Sequence, residues 1–216
     1  MAIGTVIDSG PYQGTRRWEL YRGVNFLVGP NLTGKTEFLK KIYTLWHDSM
    51  VGNWDRSWQE LELLTFDERN ISDIRFANEH PYILPADNGI EDQPTIAYEK
   101  WIKRMVQGTC YSYLEGSFIW FDKEGMAVDL NSMPKPFKNV ITSYIAALRM
   151  QKLFNSSASK GILLLDQPTL GLHVTNSKQV VNALNAIAPD IYIGIVTHCP
   201  ATIHDDWSRV TDVAKL

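Results

Sequence analysis

Residues 23–42 have the sequence Gly23-Val-Asn-Phe-Leu-Val-Gly-Pro-Asn-Leu-Thr-Gly-Lys-Thr-Glu-Phe-Leu-Lys-Lys-Ile42, and this stretch decides the fold. Its apolar run, 24–28, predicts a short buried strand. The apolar residues that follow at helical spacing, Phe38, Leu39, Ile42 and Leu45, predict a helix. The loop between them fits the pattern G-x-x-x-x-G-K-[ST].

This loop predicts a site for nucleotide phosphates. Glycines let the backbone curl so that N–H groups point at phosphate oxygens, and the positive end of the following helix adds to the attraction. A lysine in the Lys35 position reaches the β- and γ-phosphates, and the Thr36 hydroxyl can ligate Mg²⁺. The predicted phosphate-binding residues are Gly29, Pro30, Asn31, Leu32, Thr33, Gly34, Lys35 and Thr36.

A second part of a nucleotide site follows the apolar run 162–165, which predicts a strand buried on both faces of a parallel sheet. Asp166 ends this run, where triphosphatases with a phosphate loop keep the acid that holds Mg²⁺. The next residue is Gln167, although a carboxylate is expected there to activate the attacking water. Glutamine orients water without accepting its proton, and losing a general base costs roughly 10²–10⁴-fold in rate. We therefore expect ATP binding with slow hydrolysis.

A third part is His198, which ends the apolar strand predicted at 191–198. A polar side chain at the carboxyl edge of a sheet can contact the γ-phosphate and sense its presence. The alternative is a histidine that only bonds a backbone carbonyl. We favour the phosphate role because the loop and Asp166 precede His198 in the order that a nucleotide site requires.

Composition limits the class of protein. Of the residues, 44% are hydrophobic and 21% charged, with a formal net charge of −3, so no overall basic field attracts nucleic acid or anionic membranes. The overall charge does not exclude a basic strip on one part of the surface. The two cysteines, Cys110 and Cys199, are far apart, which favours a reducing cytoplasm, and we expect a cytoplasmic protein. Neither a signal peptide nor an apolar run long enough to span a bilayer is expected.

The order of elements predicts an α/β P-loop NTPase with a mostly parallel sheet flanked by helices. Helices are expected at 136–154 and 177–187, early strands at 1–7 and 18–21, and a hairpin within 117–130. We expect one domain, with a nucleotide-binding core formed by 1–45 and 132–216. The Trp-rich residues 46–131 would form an inserted helical and β lobe.

Three motifs together resemble the ABC-type ATPases. They are closer to the non-transporter branch, which holds the SMC, Rad50 and RecF-like proteins and the overcoming-lysogenization-defect group, than to transporter cassettes. The motifs are Val24-Asn-Phe-Leu-Val-Gly-Pro-Asn-Leu-Thr-Gly-Lys-Thr36, Leu163-Leu-Leu-Asp-Gln-Pro-Thr-Leu-Gly-Leu-His173 and Val196-Thr-His-Cys-Pro200. The resemblance covers about the first fifty and the last eighty residues, and hardly touches the middle.

The resemblance implies ATP and Mg²⁺ as cofactors and assigns roles to this chain's residues. Lys35 would bind phosphate, Thr36 and Asp166 would hold Mg²⁺, Gln167 would occupy the position of the catalytic glutamate, and His198 would sense the γ-phosphate. Residues 170–173 would cross the interface of a homodimer that closes head-to-tail on two ATP molecules. The energy of this closure would move a partner.

The chain departs from the family in two places. Gln167 is either natural or a deliberate substitution that traps the ATP-bound dimer, and the intact remainder of the site favours the trap. The signature segment, usually Ser-Gly-Gly-like, should precede helix 136–154, but residues 132–138 hold Ser-Met-Pro-Lys-Pro-Phe-Lys without glycine. Lys135 or Lys138 could substitute for it by charge. Gln93 and Gln107 both qualify as the Q-loop residue.

These observations lead to one main hypothesis, a nucleotide-driven dimerisation switch for a separate partner, of the anti-phage-defence or DNA-repair type. The chain is too short for coiled-coil arms or a fused nuclease, so a nuclease or toxin activity would belong to a separate effector. The alternatives are a non-hydrolysing ATP-binding module and the nucleotide-binding subunit of an ABC transporter. Nucleic-acid binding stays open.

Overall fold

The computed structural model describes residues 2–7, 14–51, 65–66, 71–77, 110–114, 117–121, 127–129, 134–154, 160–203 and 207–216. The helices are α1 (Lys35–Val51), α2 (Lys135–Phe154) and α3 (Val174–Ile187). The strands are β1 (Ala2–Ile7), β2 (Gly14–Glu19), β3 (Gly23–Val28), β4 (Thr65–Phe66), β5 (Ile71–Ala77), β6 (Cys110–Leu114), β7 (Ser117–Phe121), β8 (Ala127–Asp129), β9 (Lys160–Asp166), β10 (Tyr192–Val196) and β11 (Val210–Asp212).

The main sheet has five strands in the order β11-β3-β10-β9-β5, and every neighbouring pair in it is parallel. Because parallel strands need crossovers, helices cover both faces of such a sheet. Two antiparallel sheets of three strands, β2-β1-β4 and β6-β7-β8, complete the described strands. The predicted fold, a mostly parallel sheet flanked by helices, is confirmed.

Strand β9 shows why this sheet is buried on both faces. Ile162 and Leu164 belong to one hydrophobic cluster, which also holds Phe38 and Ile42 of α1. Leu163 and Leu165 belong to the other cluster, whose further members include α2 and α3 residues such as Val140, Val180 and Leu184. Side chains alternate between the faces of a strand, so an uninterrupted apolar run supplies two cores at once.

Predicted and observed elements agree for most of the chain. The structure places β3, β9, β10, α2 and α3 within a few residues of their predicted bounds, and β7 and β8 pair as the predicted hairpin. Strand β2 begins at Gly14, four residues before the predicted start at Trp18, and pairs with the whole of β1. Helix α3 begins at Val174, three residues before its predicted start.

Part of the expected inserted lobe, 46–131, belongs to the main sheet in the structure. Strand β5 lies within that range, yet it pairs with β9 in the main sheet, so 71–77 are part of the core. Helix α1 likewise continues to Val51. Trp54, Trp58 and both Q-loop candidates lie outside the described residues, so the division of the chain stays a prediction.

None of the helices in the described ranges has the length and apolar character needed to cross a lipid bilayer.

The packing between the main sheet and the β1–β2 hairpin depends on one small residue. Trp18 of β2 is fully buried, and its ring lies over Gly194 in the centre of β10. A Cβ atom at residue 194 would lie 2.7 Å from both Cη2 and Cζ3 of Trp18. Gly194 therefore provides the room that the indole occupies.

We predict that Gly194→Ala lowers the free energy of unfolding by about 1–3 kcal/mol, because an added methyl group overpacks this core. Urea denaturation followed by circular dichroism measures the change. The variant Trp18→Phe, which shortens the ring, serves as the partner in a double-mutant cycle, and the combined loss should be smaller than the sum of the single losses. A midpoint in Gly194→Ala equal to that of the wild type would contradict the prediction.

Candidate functional site

The loop between β3 and α1 curls through residues with positive φ angles. Gly29 has φ 148° and Gly34 has φ 82°, a region that residues with a side chain rarely adopt. At Gly29 an added Cβ would also lie 2.5 Å from Cγ1 of Val213. Both glycines of the sequence pattern are thus required by the backbone conformation, and Gly29 is also required by a close neighbour.

Leu32, in the same loop, also has a positive φ angle although it is not a glycine. Its φ angle is 63°, and 94% of its surface is exposed. A left-handed conformation costs a non-glycine residue roughly 1–2 kcal/mol, and exposure gives the side chain no packing in return. The sequence predicted Leu32 as a loop residue but gave no sign of this strained and exposed apolar position.

Lys35, the first residue of α1, lies inside the loop rather than in solvent, with 3% of its surface exposed. Its Nζ atom donates to the carbonyl oxygens of Gly29 at 2.9 Å and Pro30 at 2.5 Å, and to Oγ1 of Thr33 at 3.0 Å. Burial lowers the pKa of Lys35, while the carboxylates of Asp166 and then Asp212 raise it. Three acceptors match the three N–H donors of an ammonium group.

Thr36 and Asp166 join the start of α1 to the end of β9. The Thr36 hydroxyl donates to Oδ2 of Asp166 at 2.8 Å, although 130 positions separate the two residues. Asp166 is buried, at the last position of β9. A hydroxyl and a carboxylate at this separation are oxygen ligands that suit Mg²⁺, which takes one or two protein ligands beside the phosphates. The donor set therefore fits the expected metal.

Gln167 follows Asp166 in a left-handed conformation, with φ 50°. Its backbone N–H donates to the carbonyl oxygen of Val196, at the end of β10, at a distance of 3.0 Å. The strained backbone is thus held by the neighbouring strand. Such strain costs of order 1–3 kcal/mol and is concentrated at functional positions.

His198 lies two residues past the end of β10, and its side chain is exposed. Partial burial lowers its pKa and the charge of Lys35 lowers it further, whereas a hydrogen bond to the backbone of Gly29 and the charge of Asp166 raise it. These interactions place the imidazole beside the loop, the lysine and the acid. The structure therefore brings all three predicted parts to one edge of the main sheet, where their roles in binding stay predictions.

Residues 170–173 connect the Asp166 segment to α3. Leu170 is 46% exposed, and Gly171, with φ 83°, packs against the ring of Pro136 in the first turn of α2. Nδ1 of His173 accepts a hydrogen bond from the backbone of Thr175 at 3.4 Å and so caps α3. Of the expected signature segment, 134–138 are described; they contain Lys135 and Lys138 at the start of α2.

Asp212 is a residue near the site that the sequence analysis missed. It ends β11, which lies beside β3, and its charge acts on Lys35. The only sequence signal is the short run Val210-Thr-Asp212, too brief to predict a strand. Among the residues that the structure describes, no group of three or more His, Cys, Asp or Glu side chains could hold a metal ion.

Comparison with protein-family models and with curated proteins finds no match. Among solved structures, the SMC head domain from Thermotoga maritima aligns at a TM-score of 0.53 and 12% identity, covering 98% of this chain and 92% of that one. Stu0660 of Streptococcus thermophilus aligns at 0.54 and 10%, covering 98% and 74%. A putative ABC transporter ATP-binding protein from Pyrococcus furiosus aligns at 0.48 and 14%, covering 99% and 98%.

The likeness to the SMC head domain shows the fold. The chain has the fold of that SMC head domain, a mostly parallel sheet flanked by helices, as its sequence predicted. At identities this low, the comparison speaks to the fold alone.

We predict that Lys35→Ala weakens Mg-ATP binding at least about 100-fold, because it removes the buried cation of the loop. Isothermal titration calorimetry measures the affinity. Lys40→Ala is the matched control, since Lys40 is exposed on the same helix, α1. Its loss should change the affinity less than twofold, which is a change of less than about 0.4 kcal/mol in binding free energy. Equal affinities in Lys35→Ala and the wild type would contradict the assignment.

Proposed function

We propose that this chain binds ATP with Mg²⁺ and acts as a nucleotide-driven dimerisation switch for a separate partner. The observation that supports it most is the meeting of three distant segments at one sheet edge. These are the loop with Lys35, the Thr36–Asp166 pair, and His198 beside Gly29. Each segment supplies a different chemical group, and all of them suit a triphosphate.

The loop would bind the phosphates with its backbone N–H groups and with Lys35. In the structure Lys35 donates to loop oxygens, and phosphate oxygens would replace these acceptors. A charged donor in a buried site forms stronger hydrogen bonds than one in water. The exchange would therefore favour the negatively charged diphosphate and triphosphate tails of ADP and ATP over uncharged ligands.

Thr36 and Asp166 would hold Mg²⁺, and the hydrogen bond between them supports this role because it brings two oxygen ligands close together. When bound, the ion would neutralise charge on the β- and γ-phosphates. Asp166 is fixed for this role by its position in β9, where it pairs with Val196 of β10.

His198 would report the γ-phosphate. Partial burial and the charge of Lys35 lower its pKa, which favours the neutral imidazole. A phosphate beside it would add negative charge and favour the protonated form, which donates from both ring nitrogens. His198 is also hydrogen-bonded to the backbone of Gly29, so a change in its hydrogen bonding would alter a contact at the start of the loop.

Gln167 would bind and orient the attacking water without taking its proton. Hydrolysis would then be slow, and an ATP-bound dimer would persist. The exposed apolar side chains at the loop and beyond β9 suit burial in such a dimer, since Leu32, Leu170 and Val174 are 94%, 46% and 45% exposed. The energy stored in the ATP-bound dimer, or released when it opens, would act on a separate effector such as a nuclease or a toxin.

Multi-angle light scattering tests the switch. We predict that Mg-ATP raises the mass of the wild type from 24.6 kDa to roughly twice that value, because two copies close on two nucleotides. The variant Lys35→Ala should stay at the monomer mass under the same conditions. A wild-type mass that is the same with and without nucleotide would contradict the switch.

A non-hydrolysing ATP-binding module is the second candidate, and Gln167 is the observation that favours it. We predict that Gln167→Glu raises the rate of phosphate release roughly 10²–10⁴-fold, because it supplies a general base. The backbone strain at φ 50° is the same for both residues, so the change is confined to the chemistry. Gln167→Ala is the control and should not gain activity. No gain in Gln167→Glu would support the binding module.

A further inference from the structure

We propose that Asp212 weakens nucleotide binding and so sets how readily the loop releases its ligand. This inference rests on the proposed nucleotide-binding function. It concerns a residue outside the three motifs that define the site, on a different strand of the main sheet. The ligand whose affinity it would set is a nucleoside di- or triphosphate.

Pairing of β11 with β3 places Asp212 beside the start of the loop. Asp212 lies opposite Val28, the residue that precedes Gly29. A Cβ atom built on Gly29 would lie 3.5 Å from Oδ1 of Asp212. The carboxylate is thus packed over the first loop residue, whose own carbonyl oxygen accepts from Lys35 at 2.9 Å.

The carboxylate is held in this place by its surroundings. Oδ1 of Asp212 accepts a hydrogen bond from the backbone N–H of Ala214 at 3.0 Å. The next residue, Val213, is fully buried in the hydrophobic cluster beside α1. Further along, the carbonyl oxygen of Leu216 accepts from Nη1 of Arg16 at 3.1 Å. Because the segment is anchored on both sides, its charge stays near the loop.

This charge opposes nucleotide binding in two ways. It stabilises the ammonium group of Lys35 in its present position, bonded to loop oxygens, and binding must exchange those bonds for bonds to phosphate. It also repels the negative phosphates that would occupy the same loop. Asp166 carries a negative charge too, but Mg²⁺ would neutralise that one. Asp212 has no such role, so its effect on the ligand is unfavourable.

Asp212→Asn tests the proposal, because asparagine keeps an oxygen that can cap Ala214 while it removes the charge. We expect the Kd for Mg-ATP to fall about threefold to tenfold at 50 mM salt. The gain should shrink at 500 mM salt, since ions screen a partly exposed charge. Mg-ADP should gain less than Mg-ATP because it carries less charge. Calorimetric titration measures all of these affinities.

Two further variants make the result specific. Glu19→Gln removes an exposed acid of the same charge from β2, outside the main sheet, and should leave the Kd unchanged. Asp212→Ser also keeps a capping oxygen without charge, and should tighten binding as Asp212→Asn does. Thermal melts show that each variant is folded.

The outcomes separate this inference from the proposed function. If the wild type binds Mg-ATP and both neutral Asp212 variants bind it equally well or more weakly, the inference is overturned and the proposed function stands. If the Kd falls by the same factor at both salt concentrations, the effect is not electrostatic and the inference is again overturned. If the wild type shows no heat with Mg-ATP, the proposed function fails.

Discussion

Strand β10 lies between β3 and β9, and its hydrogen bonds to both of them set the geometry of the site. Tyr192 pairs with Gly23 on one side and with Ile162 on the other, and Val196 pairs with Leu27 and Asp166. The bonding continues past the strand ends, where Thr197 N–H donates to Leu27 and Gln167 N–H donates to Val196. Since the pairs are parallel, the three strands end together, and so do the groups that follow them.

The loop shows how a buried cation is stabilised by the backbone around it. A charge is expensive to bury unless it is fully hydrogen-bonded, and Lys35 meets this condition with acceptors from its own loop. Asp166 and Asp212 add negative charge nearby. The site is therefore electrically compensated, and a phosphate ligand of the proposed kind would have to compete with these internal partners.

Strain is concentrated in the same place. Leu32 and Gln167 are the described residues other than glycine with positive φ, and both belong to the candidate site. Glycine would relieve the strain at either position, so the side chains of Leu32 and Gln167 lower the stability of the folded state. The bonding of Gln167 to β10 holds one strained residue in position, whereas exposed Leu32 has little packing of its own.

Local sequence was enough to predict the loop, the buried strands β3, β9 and β10, and helices α2 and α3, because hydrophobic periodicity and glycine spacing are short-range signals. It also indicated that Asp166 and His198 follow strands of one parallel sheet. The sequence alone could not place β5 and β11 in that sheet, nor bring Asp212 to the loop. Those positions depend on pairings between residues up to about 185 positions apart, as between Phe26 and Val210, and such pairings leave no local pattern.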